Sequence, residues 1–247
     1  DTADEWRTIR EQWYRYYLAD GQNGEWKYGL KLVLDPEGMS AVRVSGIDPA
    51  TASDEDLAPF SSHRFEYNDE GRVTRETVRG GEAVYTFAWM TNSAKPGYGA
   101  VNTWYRRCIE TRPDASTRTV YTNRGGGTIL DIEADAGQNP DRWFDYRIYN
   151  SDYHLTERAT SAAVDSVAEP FNADGDLTVI LKNAEGLIHV HTYYDTDDDP
   201  TGAVKGYRKT SGIKIGQNGT VTVQRKRRYD TRTIGGAAIH PVREEIE

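Results

Sequence analysis

From residue 63 onward, short strand-like runs alternate with turn residues along the chain. Residues 74–78 lead into Gly80-Gly81, and residues 84–89 return. Glycine adopts a positive φ without steric cost, so a glycine pair between two such runs predicts a tight β-hairpin. Residues 108–112 and 117–121 predict a second hairpin. The same pattern predicts strands over residues 143–149, 177–181, 187–194 and 221–229, and loops over residues 92–102 and 159–171, the latter with one helical turn.

The first part of the chain is less regular. Aromatic and aliphatic residues near helical spacing predict a short helix within residues 4–18. These residues are Trp6, Ile9, Trp13 and either Tyr16 or Tyr17. Residues 26–34 predict a strand, and the Asp-Pro-Glu-Gly run at residues 35–38 predicts its end. Ser53 precedes three acids, which predicts a capped single helical turn over residues 53–57.

The composition narrows the fold class. The chain has 16 tyrosines and six tryptophans, and its mean hydropathy is −0.76. Long aliphatic runs, which are typical of parallel sheets covered on both faces, are absent from the sequence. Order must therefore come from aromatic packing and backbone ladders. We predict an all-β fold in which antiparallel β-hairpin repeats form an extended or curled sheet with few short helices.

Two regions follow from these patterns. Residues 1–62 are interpreted as an N-terminal β segment with a short helix, and residues 63–247 as β-hairpin repeats that continue from it. The sequence begins at Asp1 without a methionine, and we interpret it as a piece of a longer protein or as a processed product.

Charge and cysteine content limit the partners. The formal net charge of −9 argues against nucleic-acid binding, which needs a concentrated basic face. The basic run at residues 225–228 is interpreted as an exposed strand protected by its charge. No stretch reaches the roughly 18 apolar residues that cross a bilayer. Cys108 is the single cysteine, so a disulfide within the chain is excluded, and we interpret it as a packed thiol in a secreted or cell-surface protein.

One phrase recurs along the sequence. Its fullest copy runs from Tyr67 through Asn68, Gly71 and Arg72 to Val73. Looser copies share the tyrosine or the turn residues, and they contain Tyr121, Asn123, Gly125, Tyr149, Tyr194, Asp195, Tyr229 and Asp230. In this phrase the tyrosine packs on the sheet, the Asn or Asp caps a turn through its side chain, and the glycine supplies left-handed backbone. We predict that these residues are structural and end one strand of each hairpin.

The phrase resembles the tyrosine–aspartate repeat, YDxxGRL, of the RHS and YD-repeat families. Tyr67, Gly71, Arg72 and Val73 match it, and Asn68 stands where Asp is usual. The resemblance implies a strip of β-hairpins that spirals into a wide sheet or hollow shell, whose partners are neighbouring repeats of the same parent chain. In some members the shell encloses a toxin, and others are cell-surface proteins. The self-cleavage motif of the toxin-bearing members is absent from this sequence, where residues 35–39 are only a superficial match.

Candidate chemistry is sparse in the sequence. His189 and His191 share one face of a predicted strand but lack an identifiable third metal ligand. The acidic run at residues 195–199 lacks the spacing of a calcium loop, and the glycines at residues 125–127 are not followed by the Lys-Ser/Thr of a phosphate-binding loop. We therefore predict no metal site, cofactor or catalytic set.

These observations favour a non-catalytic structural segment of a large exported or surface bacterial protein, forming part of a shell or stalk. Two alternatives remain open. Trp89, Trp104 and Trp143 could form a stacking platform for glycans, which would make the chain a carbohydrate-binding or adhesion module. The chain could also be a polysaccharide-active enzyme, which would need paired carboxylates across a cleft.

Overall fold

The computed structural model describes residues 10–21 and 24–247. Strands account for 47% of the structure and helices for 10%, and the large sheet pairings are antiparallel, which confirms the predicted all-β class with few short helices. The chain divides into two compact units. The first contains Asp1–Trp89 and Ile109–Thr117, and the second contains Met90–Cys108 and Arg118–Glu247.

The first unit is built on strands in sequential order. They are β1 (Trp13–Tyr16), β2 (Leu30–Leu34), β3 (His63–Tyr67), β4 (Val73–Val78) and β5 (Ala83–Thr91), and each pairs with the next. The β4–β5 connection is the predicted glycine hairpin, in which Gly80 and Gly81 have φ values of 65° and 114°. Strands β6 (Arg106–Thr111) and β7 (Thr117–Thr122) contribute residues to both units and flank the predicted turn at residues 113–116.

Two helices cover the core of the first unit. Helix α1 (Pro36–Val44) and helix α2 (Asp54–Leu57) pack apolar side chains against β2 in a cluster of Leu32, Leu34, Met39, Val42 and Leu57. The predicted turn at residues 53–57 is α2, and Ser53 and Asp56 form its capping box. Residues 35–38 do not simply end a strand. Asp35 caps α1 by accepting from the Gly38 amide at 2.8 Å, and proline occupies the first helical turn, where its missing N–H costs nothing.

The predicted helix within residues 4–18 is wrong for its described part. Residues 13–16 form β1, and Trp13 pairs with Leu34. Tyr14 and Tyr16 are exposed while Trp13 and Arg15 are half-buried, so the operative period is two residues. Trp6 and Ile9 lie outside the described residues. Strand β2 is also shorter than predicted, because residues 26–29 close a turn in which Gly29 donates to the Trp26 carbonyl at 2.8 Å.

The second unit continues the antiparallel pattern. Its further strands are β8 (Thr128–Ala134), β9 (Arg142–Tyr149), β10 (Leu155–Ala159), β11 (Val164–Ala168), β12 (Thr178–Leu181), β13 (Leu187–Tyr193), β14 (Arg208–Ile215), β15 (Thr222–Tyr229), β16 (Arg232–Ile234), β17 (Ala237–Ile239) and β18 (Val242–Ile246). The sheet order is β7-β8-β9-β10-β13-β14-β15-β18, and β11–β12 and β16–β17 form separate two-stranded sheets. The predicted loop over residues 159–171 is wrong in part, since it contains β11 after a short 3₁₀ turn.

Two apolar clusters form the core of the second unit. Trp104, Tyr121, Ile129, Leu130 and Ile132 make up one, and Ala159, Ala163, Val164, Leu181 and Ile188 the other. Side chains of the β11–β12 hairpin, among them Val167 and Val179, pack against both. This hairpin therefore supplies the cover that the main strands of the unit lack on that face.

The basic run lies on β15, largely exposed. Arg227 and Arg228 pair with Glu245 and Glu244 of β18, each at 2.9 Å, so the basic strand is neutralised by its neighbour. Cys108 is half-buried on β6. In residues 10–21 and 24–247, no helix has the length and apolar character needed to cross a bilayer.

Candidate functional site

One aromatic contact recurs between neighbouring strands. Tyr67, the last residue of β3, donates from its hydroxyl to the carbonyl of Leu30, the first residue of β2, at 2.9 Å. The same contact is made at 2.8–2.9 Å by Tyr149 to Thr128, Tyr193 to Leu155 and Tyr229 to Arg208. In each case the acceptor is the first residue of the adjacent strand. We call this arrangement the strand-end contact.

A tryptophan makes the strand-end contact at one further boundary. Trp89 of β5 donates from Nε1 to the carbonyl of Val73, the first residue of β4, at 2.8 Å. An indole N–H is a donor like the phenol O–H, and its larger ring spans the same separation. The guanidinium of Arg72 lies 5.5 Å from this ring centroid, which covers the indole with a cation.

The backbone register of the five contacts is identical. Leu32 pairs with Arg64, so Leu30 lies opposite Glu66, and the donor Tyr67 is the residue one beyond. The other ladders have the same offset, through the pairs Arg75–Thr86, Leu130–Tyr146, Glu157–Val190 and Thr210–Lys226. Because the register is shared, the donor side chain reaches a carbonyl at the same position along the neighbouring strand in all five contacts.

The hairpins that begin with the four strand-end tyrosines, and the β1–β2 hairpin, share a bulge. In β3–β4, Tyr67 pairs with Val73 and Glu66 with Arg75, which leaves Thr74 as the extra residue. The corresponding extra residues elsewhere are Lys31, Thr156, Lys209 and Arg243. An extra residue at a fixed place increases the local twist of each hairpin in the same way.

The turns between paired strands are also alike. The side-chain oxygen of Asn68 accepts from the amides of Glu70 and Arg72, both at 3.0 Å, and Gly71 has a φ of 72°. Asn150 accepts from Asp152 and His154 in the same way, with Tyr153 at a φ of 63°. The structure therefore places Tyr67, Asn68, Gly71 and Arg72 as one strand-end unit, and Tyr149 in an equivalent one.

Asn123 forms a third turn of this shape, but two of its predicted neighbours are placed differently. Its side-chain oxygen accepts from the Gly127 amide at 2.8 Å, and the glycine with positive φ is Gly126 rather than Gly125. Tyr121 does not occupy the place of Tyr67. It lies one residue before the end of β7, points into the core, and donates to Glu169 at 2.8 Å.

The last two predicted copies are offset or enlarged. Tyr193, not Tyr194, makes the strand-end contact after β13, while Tyr194 donates to the Arg227 carbonyl at 2.8 Å. Asp195 is exposed beyond the strand. Tyr229 is placed as predicted at a strand end, and the amide of Asp230 donates to the Pro241 carbonyl at 3.0 Å to close a loop that contains β16 and β17.

Burial favours the protonated phenol at three of the strand ends. It is the largest cause that raises the pKa of Tyr67, Tyr149 and Tyr229 above the ordinary value of 10.0. Burial also raises the pKa of Tyr121, where the Glu169 carboxylate adds to the effect. A tyrosine donates its O–H only while it is protonated. The hydroxyls of Tyr67, Tyr149 and Tyr229 are therefore fully protonated donors at neutral pH.

The three tryptophans considered for glycan stacking differ in access. Trp104 is 1% exposed, and its Nε1 donates to the Gly175 carbonyl at 3.0 Å, so its ring presents no open face for stacking on a glycan. Trp89 makes the strand-end contact. Trp143 is 49% exposed and keeps an open ring face.

The histidine and aspartate runs do not converge on an ion. Burial lowers the pKa of His191, and nearby Arg208 and His189 act in the same direction, which favours the neutral imidazole. In the acidic loop, Asp197 accepts from the amide of Lys205 at 2.8 Å and so closes the loop on itself. Across the described residues, no group of three His, Cys, Asp or Glu side chains is arranged to hold a metal.

Comparison of the chain with models of known protein families finds no match, and comparison with curated proteins finds none either.

Proposed function

We propose that this chain is a non-catalytic structural segment of a large exported or cell-surface bacterial protein of the YD-repeat type, forming part of a shell or stalk. The observation that carries the proposal is the strand-end contact, which recurs with one register at five strand boundaries. The resemblance of the phrase from Tyr67 to Val73 to the YDxxGRL repeat supports the family. Neighbouring repeats of the parent chain would be its partners.

The physical role of the contact supports a scaffold. Each donor lies at or near the end of one strand and each acceptor is the first residue of the neighbouring strand, so the bond fixes how the two strands are laid side by side. One such hydrogen bond contributes about 1 kcal/mol, and a series of them adds along the sheet. The hydroxyls of these tyrosines, which could otherwise bind a ligand, are hydrogen-bonded to backbone carbonyls of the same protein.

Cell fractionation tests the location that this proposal requires. In the bacterium that encodes the chain, an antibody against it is expected to detect the protein in the exported or surface fraction. The antibody should also bind intact cells, since a shell or stalk segment faces outward. Detection confined to the cytoplasm, with a cytoplasmic marker enzyme as the reference, would contradict the proposal.

A carbohydrate-binding module is the second candidate, because Trp143 presents an open ring. If the chain is a scaffold, a glycan array probed with it should give no signal that depends on this indole. The matched variants are Trp143→Ala, which removes the ring, and Trp143→Phe, which keeps an aromatic face. A signal that is lost in the first variant and retained in the second would establish the carbohydrate-binding alternative instead.

A further inference from the structure

A cavity of about 270 Å³ lies between two connections of the second unit. One wall is the turn after β9, which carries Asn150, Asp152 and His154. The other wall is the connection from β13 to β14, which carries Asp195 and Lys205. The cavity is therefore formed where two strand ends lie side by side.

The connection from β13 to β14 departs from the pattern of the other strand ends. The turns closed by asparagine side chains contain five residues each, whereas residues 194–207 form a longer loop. The amide of Gly206 donates to the Tyr194 carbonyl at 2.9 Å and draws the two ends of this loop together. The other enlarged connection, over residues 230–241, folds into β16 and β17 instead. Loops of this length are uncommon in compact domains, and many of them bind ligands.

His154 brings an unused hydrogen-bonding atom to the wall of the cavity. Its ring stacks on Tyr193, with the ring centroids 4.4 Å apart. Its Nδ1 is buried and has no hydrogen-bond partner among the described residues, although buried polar atoms are nearly always hydrogen-bonded. Of the four such side-chain nitrogens in the described chain, it is the one that belongs to this cavity. Gly206 leaves one edge of the imidazole uncovered, because a Cβ at that position would lie 3.4 Å from Cε1 of His154.

The charged side chains around the cavity are of both signs. Asp152 and Asp195 carry carboxylates, and Lys205 carries an ammonium group. All three residues are exposed, and their charged groups form no ion pair or hydrogen bond within the part of the chain that the structure describes. An ion of one sign would match only one of these two kinds of charge. A ligand that carries both charges matches them all.

We propose that this cavity binds a small zwitterion, a free amino acid, with Asp152 and Asp195 facing its ammonium group and Lys205 facing its carboxylate. Such contacts are charge-assisted hydrogen bonds, which are stronger than those between neutral groups. The volume lies just below the roughly 300–1,000 Å³ of sites for drug-sized ligands, so the ligand is small. A neutral sugar would reach the same groups through its hydroxyls but would leave both kinds of charge without a counter-charge. The inference goes beyond the proposed function and does not rest on it, because a structural segment needs no ligand.

Saturation-transfer difference NMR on the 247-residue chain tests the ligand class. The probes are a pool of the standard L-amino acids and a separate pool of glucose, galactose and mannose. We expect a signal from at least one amino acid. Its N-acetyl derivative, which lacks the ammonium group, and its methyl ester, which lacks the carboxylate, should bind at least about ten-fold more weakly. No signal from any amino acid, a signal from the sugars alone, or equal binding of the two derivatives and the parent amino acid overturns the proposal.

Variants test whether the amino acid binds in this cavity. Lys205→Met keeps the alkyl chain and removes the charge, so it should weaken the affinity about ten-fold, the effect of one charge-assisted hydrogen bond. His154→Phe keeps a ring that stacks on Tyr193 and removes both nitrogens, and it should weaken the affinity about five-fold. Lys226→Met is the matched control, because Lys226 is exposed on β15 outside the cavity, and it should bind as wild type does.

The affinities are measured by NMR titration with the amino acid found in the pool, and circular dichroism checks that each variant is folded. Wild-type affinity in a folded Lys205→Met variant overturns the proposed site. An equal loss in Lys226→Met also overturns it, because that result would show a general effect of charge on the surface.

Discussion

Replacing Trp104 with alanine is expected to lower the free energy of unfolding by about 4 kcal/mol, the cost of removing a fully buried indole from a packed core. The side chain belongs to the first cluster of the second unit and lies edge-on to Tyr121, with ring centroids 6.0 Å apart. The substitution also leaves the Gly175 carbonyl without its donor. Urea denaturation followed by circular dichroism measures the change.

Trp143→Ala is the matched control for this measurement. The two side chains are chemically identical, but Trp143 stands half in solvent at the start of β9, so its removal should cost less than about 1 kcal/mol. If both substitutions lower the free energy of unfolding by the same amount, that result would contradict the burial of Trp104 in the core. Because a domain is stable by only about 5–15 kcal/mol, the Trp104 variant should unfold at a much lower urea concentration while the control stays close to wild type.

The hairpins of this protein could be predicted from its sequence because their signals are local. The glycine pair at residues 80–81 lies directly between β4 and β5 and predicts their hairpin. Ser53 lies directly before α2 and predicts its start as the N-cap residue. Helix α1 was not predicted, because the dipeptide Asp35-Pro36 is typical both of the end of a strand and of the start of a helix. It can stop a strand, and it can cap a helix, and only the burial of Met39 and Val42 against β2 decides between them.

The strand-end contact could not be predicted from the sequence for a different reason. Its acceptor is a backbone carbonyl, which every residue carries, so no residue type marks it. The donor is marked only by aromatic character, and the Tyr193-Tyr194 pair offers two candidates one residue apart. The aspartate after Tyr194 favoured the wrong one, because register is set by the neighbouring strand. The role of Trp89 in a strand-end contact was not predicted, because the recurring phrase was defined by a tyrosine at its first position.

The buried turn at Asn123 gives the second large expected effect, through a polar side chain rather than an apolar one. Asn123 is 1% exposed, donates from Nδ2 to the Val101 carbonyl at 2.7 Å, and accepts from the Gly127 amide at 2.8 Å. Asn123→Ala leaves that carbonyl and that amide without partners in the interior. Each unsatisfied group costs about 1–3 kcal/mol, so a loss of about 3 kcal/mol is expected in urea denaturation.

Asn150→Ala separates the cost of burial from the cost of the turn. Asn150 caps a turn of the same shape with two backbone amides, but it is half-buried and makes no second contact through its amide nitrogen among the described residues. Water can replace its side-chain oxygen, so a loss of about 1 kcal/mol is expected. Equal losses in the two variants would mean that the turn alone matters. A larger loss at Asn123 means that this asparagine also fixes the loop that contains Val101 to the end of β7, because the side-chain amide is the group that joins them.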